Sequence, residues 1–241
     1  MEHFSRTLLA HELQLVLSTD SEHYLVKMKT KIYSLNTKNR MITMIASPYH
    51  PYLTPEDYLN QEEKSLIKHE YINGEAYGMA GTTDNHNIIA GNLYTLIRNH
   101  LRGTDCRVFF ADIKARLEKR NCFYYPDVLV TCDPQDRETP TYKRFPQLII
   151  EVLSESTESF DRGDKFNDYQ TLDSLQEYVL VNSQHQRIEI FRRYEPKRWF
   201  YVSHNEGTVC LESLSLTINI SAIYEDVDLP ITDVNSQNIS L

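Results

Sequence analysis

Two short apolar runs in this chain each carry an acidic residue that a buried strand accommodates only at a cost. Val128–Thr131 follows Pro126-Asp127, and Leu148–Leu153 contains Glu151. Both runs have the length and the Val, Leu and Ile content of strands. An ionised carboxylate is costly in such surroundings unless it meets a cation, and two carboxylates on neighbouring strands can share one metal ion. We therefore interpret Asp127 and Glu151 as candidate metal ligands.

A lysine downstream of the second run completes a possible catalytic set. Lys165 lies in a polar, helix-like segment, and its four-carbon side chain is long enough to return to the carboxylate pair. Asp, Glu and Lys that converge on a metal ion form an arrangement that cleaves phosphodiester bonds. Two plainer interpretations stay open: Lys165 pairs with Asp161 or Asp168 on an exposed helix face, and Asp127 is a turn residue after proline.

The order of these residues along the chain resembles that of the Uma-two family, within the PD-(D/E)XK nuclease superfamily. Leu153 stands where the superfamily usually has its lysine, and Lys165 matches the position to which the lysine has moved in the Uma-two family. The resemblance covers roughly residues 53–224. The ordered series that carries it is Glu70, His86, Pro126-Asp127, Glu151-Val152-Leu153-Ser154, Lys165 and Tyr169.

This resemblance implies both a fold and an activity. The expected fold is α/β (α+β), with a restriction-endonuclease-like core in which helices flank a mixed central sheet and β-hairpins are added. The expected activity is hydrolysis of DNA by a magnesium-dependent endonuclease, with manganese as an alternative metal. Asp127, Glu151 and the backbone carbonyl of Val152 would hold the metal, and Lys165 would orient the attacking water. A homodimer would suit cutting of both strands.

Four further residues are candidates for accessory roles. Glu70 and His86 match family positions, and each is interpreted either as a site residue or as a structural contact. Asp161, Lys165 and Tyr169 follow one another at intervals of about one helical turn. Asp161 is therefore expected to hold the lysine, and Tyr169 to pack alongside or to donate to a phosphate.

Composition limits the classes of function. The formal net charge of −9 argues against a surface that coats DNA in general, although a local basic groove remains compatible with it. No Gly-x-Ser-x-Gly is present, and the glycines do not form a phosphate-binding loop followed by lysine. A serine nucleophile and a P-loop nucleotide hydrolase are therefore excluded.

The chain has neither a run of about 18 apolar residues, as a membrane span requires, nor the pattern of a secretion signal at its start. The cytoplasm is the expected compartment. The four cysteines are widely separated and show no metal-binding spacing, so we expect them to be reduced and structural. They are Cys106, Cys122, Cys132 and Cys210.

We expect a single nuclease-like domain over residues 48–226, after an N-terminal extension at 1–47 and before a polar tail at 227–241. The extension lies outside the resemblance. Translation that begins at Met41 or Met44 would leave out most of the extension, which would then be an artefact of gene prediction. Within the extension, Leu8–Leu17 is compatible with a helix and Ile42–Ile45 with a strand.

The predicted elements of the domain alternate between helices and strands. Helices are expected near 55–63, 84–101 and Asp164–Leu172, and a hairpin over 68–80 with Asn73-Gly74 as its turn. The expected strands are Cys106–Leu117, Phe123–Thr131, Leu148–Leu153, Glu177–Val181 and Arg187–Phe191, with added hairpin strands at Arg198–Ser203 and Thr208–Ile220.

Two functions of different classes are compatible with the sequence. The first is a metal-dependent endonuclease that acts on DNA. The second is a nuclease-like fold without turnover that serves as a nucleic-acid-binding or protein-interaction module, which the acidic net charge favours. RNA or a branched nucleic acid is a third possibility for the substrate.

Overall fold

The structure is a computed structural model that divides into two compact units, residues 1–50 and 51–241. It describes residues 52–79 and 81–230 in full, and in the first unit only the backbone of four strands. The helix predicted at Leu8–Leu17 is wrong, because pairing of Ala10 with Leu13 forms a short hairpin there. The strand predicted at Ile42–Ile45 lies outside the described residues. The four strands are β1 (Leu9–Ala10), β2 (Leu13–Gln14), β3 (His23–Met28) and β4 (Lys31–Asn36).

A six-stranded mixed sheet forms the centre of the second unit. Its order is β15-β14-β13-β12-β10-β7, in which β12 and β13 are parallel and the other neighbours antiparallel. The apolar run at β12 is buried along its whole length, as a central strand requires. The strands are β7 (Arg107–Phe110), β10 (Val128–Thr131), β12 (Leu148–Leu153), β13 (Glu177–Asn182), β14 (Ile188–Glu195) and β15 (Arg198–His204).

A second sheet of five strands has the order β11-β8-β9-β5-β6. The predicted hairpin is present, with Asn73 and Gly74 at positive φ in its turn. β6 lies at an edge of the sheet, and all of its residues are exposed. The strands are β5 (His69–Ile72), β6 (Glu75–Gly78), β8 (Lys114–Leu117), β9 (Cys122–Tyr124) and β11 (Tyr142–Lys143).

Two long strands of the sequence prediction are each divided between these sheets. Cys106–Leu117 becomes β7 and β8, because Ala111 at φ 56° breaks the extended chain. Phe123–Thr131 becomes β9 and β10, separated at Pro126, which has no backbone N–H to donate to a ladder. Asp127 therefore lies where the chain passes from one sheet to the other, and Ala111 N donates to its backbone carbonyl (3.1 Å).

The two longer helices have the boundaries that their caps predict. Helix α1 (Pro55–Glu62) begins with proline after Thr54, whose hydroxyl accepts from Asp57 N (3.1 Å). Helix α2 (Asp84–His100) is capped by Thr83 and buries Ile89, Leu93 and Ile97 against the six-stranded sheet. Among the described residues, no helix is both long and apolar enough to cross a membrane.

The helical segment after β12 begins earlier than predicted and is not a regular α-helix. It comprises α3 (Glu158–Phe160), a π-helical turn (Asp161–Lys165) and α4 (Phe166–Tyr169). The helix prediction for Asp164–Leu172 therefore missed the first turns, because Gly163 obscured the helical pattern. This segment packs on the face of the six-stranded sheet that carries Ile149 and Tyr178. After β15 the chain forms a hairpin, β16 (Thr208–Leu211) and β17 (Leu216–Asn219), followed by helix α5 (Ile220–Ile223).

The expectation that all cysteines are reduced is wrong for two of them. Cys106 and Cys132 form a disulfide, with their Cα atoms 3.9 Å apart. They directly flank the pair Arg107–Thr131 at the end of the β7–β10 ladder, so the strand register brings them side by side. Their separation of 26 residues matches no motif, which is why the sequence did not indicate the pair. Cys122 and Cys210 are free thiols.

Candidate functional site

The ammonium group of Lys165 is surrounded by carboxylates from three elements. Its Nζ lies 3.0 Å from Glu151 Oε1 on β12, 3.0 Å from Glu70 Oε1 on β5 and 3.5 Å from Asp161 Oδ1 in the π turn. The lysine side chain is 7% exposed, so it does not lie on an exposed helix face. Asp168 is not its partner either, since that carboxylate pairs with Arg120 (2.5 Å).

Aromatic residues complete the surroundings of this ion-pair cluster. Tyr169 is fully buried, and its hydroxyl donates to Glu151 Oε1 (3.0 Å). The lysine Nζ lies 5.5 Å from the ring centroid of Tyr124 on β9. The hydroxyl of Tyr178 on β13 donates to the Asp161 carbonyl (2.9 Å). Tyr169 therefore orients the carboxylate of Glu151, and its donation to a phosphate stays a prediction.

Asp127 adjoins the cluster at the junction between the two sheets. Its Oδ2 accepts from Val152 N (2.7 Å), while its own backbone N donates to Glu151 Oε2 (3.4 Å). These reciprocal bonds place the two carboxylates side by side. The Asp127 side chain is 21% exposed and that of Glu151 is 4% exposed, so Asp127 is the part of the pair that a substrate can reach.

His86 lies against the same carboxylate from the first turn of α2. Its Nε2 is 3.3 Å from Asp127 Oδ2. Burial lowers the pKa of the imidazole, but the hydrogen bond and charge of Asp127, helped by Asp161 and the backbone of Val152, outweigh burial and raise this pKa overall. The ring thus lies against Asp127 and near the backbone of Val152, two of the three groups expected to hold a metal.

The cluster contains more acidic than basic side chains. Burial raises the pKa of Glu151 well above its ordinary value; Lys165 opposes this increase, and Asp161, Asp127 and Glu70 add to it. The pKa of Asp161 is also raised, mainly by burial. For Lys165, burial lowers the pKa, but the surrounding carboxylates outweigh burial and raise it, so the ammonium stays charged. One lysine and one histidine therefore face four carboxylates.

Asp127 and Glu151 present oxygen donors of the kind that a magnesium ion binds. Within the described residues, no three His, Cys, Asp or Glu side chains already form a metal-binding cage. Mg²⁺ does not require one, because it keeps several waters and commonly takes one or two protein carboxylates. Asp127 and Glu151 supply adjacent oxygen donors, and a dication would balance the excess buried negative charge.

A second ion-pair cluster lies on the same face of the six-stranded sheet. Glu189 on β14 is in register with Leu180, which is in register with Glu151, so the two glutamates share one row across the sheet. Glu189 accepts from Arg162 (2.5 Å), from Arg187 (3.1 Å) and from the Tyr201 hydroxyl (2.5 Å). Arg162 also pairs with Glu158 (2.7 Å), which leaves two acids opposite two bases.

The structure brings together all the site residues that the sequence singled out: Asp127, Glu151, Lys165, Glu70, His86, Asp161 and Tyr169. It also adds Tyr124 and Tyr178, which the sequence reasoning missed. Tyr124 directly precedes Tyr125-Pro126-Asp127, and this nearness was its only signal. Tyr178 reaches the site from a neighbouring strand, and no spacing along the chain indicates such a contact.

The fold is mixed α+β, and at the junction of its two sheets it brings together a partly exposed Asp with a buried Glu and Lys. Residues 55–222 match the Uma2 family model, described as "Putative restriction endonuclease", and the chain belongs to this family. The earlier resemblance is therefore confirmed, together with the expected fold class.

Two individual proteins and one solved structure resemble the chain. The uncharacterized protein slr1290 of Synechocystis sp. is 38% identical over 185 residues, which are 76% of this chain and 97% of that protein. The uncharacterized protein sll1609 of the same organism is 32% identical over 149 residues, 61% of this chain and 84% of the relative. A crystal structure from Anabaena variabilis, titled a putative nuclease belonging to DUF820, superimposes with a TM-score of 0.60. It covers 71% of this chain and 97% of its own at 16% identity, and so supports the fold alone.

Proposed function

We propose that this protein is a metal-dependent endonuclease that hydrolyses phosphodiester bonds of DNA. The observation that carries the proposal is the position of Lys165 Nζ, 3.0 Å from both Glu151 and Glu70, beside a further carboxylate, Asp127, that is partly exposed. A charged lysine next to an excess of carboxylates is suited to a reaction in which a dication and an anionic phosphate enter together.

Asp127 and Glu151 would hold Mg²⁺, or alternatively Mn²⁺. Such an ion would polarise the phosphate, lower the pKa of a bound water and stabilise the leaving oxygen. Lys165 would orient the attacking water and offset the negative charge that develops on the phosphate. Glu70 and Asp161 keep the ammonium in place, and Tyr169 fixes the carboxylate of Glu151.

His86 would maintain the orientation of Asp127, the carboxylate that is partly exposed to solvent. Its Nε2 lies 3.3 Å from Asp127 Oδ2, and Val152 N holds the same oxygen from the other side. We further propose a homodimer as the assembly that cuts both strands, and the cytoplasm as the compartment.

A cleavage assay tests the proposal. Supercoiled and single-stranded DNA are incubated with the purified chain in Mg²⁺, in Mn²⁺ and in chelator, beside Glu151→Gln and Asp127→Asn. We expect nicking with either metal, none in chelator, and a loss of about 10²-fold or more in each variant. Cleavage that persists unchanged in Glu151→Gln would identify a contaminating nuclease and remove the basis for the proposed site.

A second candidate function is a nuclease-like fold that binds nucleic acid or protein without turnover. The burial of Lys165 and its complete pairing with carboxylates favour this candidate, as does the net charge of −9. DNA binding without cleavage in either metal would support it.

A further inference from the structure

The β5–β6 hairpin carries a group of exposed apolar side chains beside the candidate site. Leu66 and Ile67 precede β5, while Tyr77 and Met79 lie in and just after β6, and all four are exposed. β6 is an edge strand of its sheet. Exposed apolar side chains that cluster in this way mark a surface that contacts another molecule more often than do apolar residues scattered singly.

Tyr77 lies on the same face of the hairpin as the site. It is directly opposite Glu70 in the β5–β6 register, and residues in this relation point to the same face with Cβ atoms about 4.5–5.5 Å apart. Glu70 in turn contacts Lys165 at 3.0 Å. Tyr77 is therefore separated from the proposed catalytic lysine by a single side chain, and it is 49% exposed.

The position of Tyr77 is restrained rather than loose. Its hydroxyl donates to Glu75, which lies two residues away on the same face of the strand. An aromatic ring that is already restrained loses little conformational freedom when it packs against a ligand.

The charges near this surface favour a ligand that offers aromatic faces over one that offers only phosphates. Lys68, which directly precedes the hairpin, is paired with Asp112 and donates to the Ala111 carbonyl (3.4 Å). A duplex presents its phosphates outward and keeps the faces of its bases stacked, whereas single strands expose those faces to aromatic side chains. The chain also carries a net charge of −9, which disfavours a broad contact with duplex phosphates.

We propose that Tyr77 stacks on an unpaired base next to the bond to be cut, so that the preferred substrate is single-stranded DNA or an unpaired segment of DNA. This inference deepens the proposed function and depends on the site acting on DNA. Tyr77 is a positioning residue: it contacts the base, and the bound base in turn places the neighbouring phosphate at the site.

Binding is measured in the Glu151→Gln background with Mg²⁺, so that hydrolysis does not interfere. The probes are a single-stranded oligonucleotide that contains 2-aminopurine and the same oligonucleotide in a duplex. We expect Tyr77→Ala to weaken single-strand binding about 5- to 100-fold, as for the loss of one stacked base, and to abolish the fluorescence quenching. Duplex binding should remain weak and unchanged, and Tyr77→Phe should retain single-strand binding.

Tyr194→Ala is the matched control, since Tyr194 is an exposed tyrosine (63%) on the six-stranded sheet, where it packs against Phe200. This variant should bind as the parent does. Unchanged binding in Tyr77→Ala, an equal loss in Tyr194→Ala, or tighter binding of the duplex would each overturn the inference. A halved mass of Tyr77→Ala in light scattering, with DNA binding unchanged, would assign the surface to a second copy of the chain instead.

The same experiment separates this inference from the proposed hydrolysis. If the parent protein never cleaves DNA but Tyr77→Ala loses single-strand binding, the hydrolysis proposal fails and the stacking inference stands. If the parent cleaves, the inference requires Tyr77→Ala to raise KM for single-stranded DNA with little change in kcat, because a base contact acts mainly on binding.

Discussion

Glu151 and Glu189 occupy the same row of one sheet face, and both side chains are 4% exposed, but their surroundings differ in charge. Burial raises the pKa of Glu151. Lys165 lowers this pKa, but its effect is smaller than the combined effects of burial and of three further acids. Burial would also raise the pKa of Glu189, but Arg162, Tyr201 and Arg187 outweigh it and lower that pKa. A balanced cluster stabilises a fold, whereas an unbalanced one is typical of a site that awaits a charged ligand.

The largest expected difference between the clusters is in catalysis. Lys165→Met removes the lysine that the site carboxylates surround and should lower kcat for DNA cleavage by about 10²- to 10³-fold. Arg162→Met removes a cation three residues away in the same π turn and should leave kcat within about threefold where the protein is folded. Rates are measured on supercoiled DNA at 25 °C, with circular dichroism to check folding. Equal losses in both variants would remove the functional distinction between the clusters.

The free energy of unfolding should depend more on the Glu189 cluster than on the Lys165 cluster, which is the opposite of the order expected for catalysis. Glu189→Gln removes the charge that holds two guanidinium groups and should lower the free energy of unfolding by about 1–3 kcal/mol, a value reduced by the partial exposure of both arginines. Glu151→Gln removes excess negative charge, while its amide oxygen can still accept from Tyr169. It should change the free energy of unfolding by less than about 1 kcal/mol. Urea unfolding in chelator measures both, and a larger loss in Glu151→Gln would contradict the charge argument.

The sequence indicated the carboxylate cluster around Lys165 much better than the cluster around Glu189. Glu151 within an uninterrupted apolar strand is visible as a buried charge, and the resemblance to a nuclease family identified Lys165. Glu189, Arg162 and Arg187 come from a strand, a π turn and a loop, and each is an ordinary surface residue in its local sequence. Their contacts depend on strand register, which the sequence pattern does not specify across separate elements.

The same distinction applies to the fold: features set by local sequence were predicted, and features set by strand register or backbone conformation were not. Boundaries marked by local chemistry, such as the Thr54-Pro55 start of α1 and the Asn73-Gly74 turn, were predicted closely. The division of two predicted strands between two sheets was missed, because a positive φ at Ala111 has no signal in the residue type. The Cys106–Cys132 pair was missed because it depends on the register of β7 with β10.

Divalent metal should stabilise the folded protein by binding at the Lys165 cluster and not at the Glu189 cluster. At a Mg²⁺ concentration ten times the dissociation constant, binding to the folded state adds about 1.4 kcal/mol, or about 3–6 °C in Tm. Asp127→Asn should lose this increase. Asp164→Asn, a control at an exposed position of the π turn, should retain it. Differential scanning fluorimetry with and without chelator makes the comparison, and an equal increase in Asp127→Asn would contradict the metal site.

The smallest expected effect is in the pH dependence of stability. Because the folded-state pKa of Glu151 is raised, its charged form costs stability above that pKa, and the cost disappears as the pH falls through it. The stability of Glu151→Gln relative to the parent should therefore be higher at pH 8 than at pH 5. For Glu189 the folded-state pKa is lowered, so its contribution is lost below its ordinary value of 4.5. Urea midpoints of both variants and the parent from about pH 2.5 to pH 8 test these opposite trends.

The π turn at Asp161–Lys165 makes the spacing of the chain here as important as its chemistry. Its hydrogen bonds enclose one residue more than those of an α-helix, and each α-helical residue turns the chain by about 100°. Deletion of Gly163 would be absorbed when the segment closes as a regular helix, whereas one further residue would rotate Lys165 and Tyr169 relative to Asp161 by roughly that angle. A homologue with one residue more at this point could keep every proposed catalytic side chain and still have lost the proposed hydrolysis.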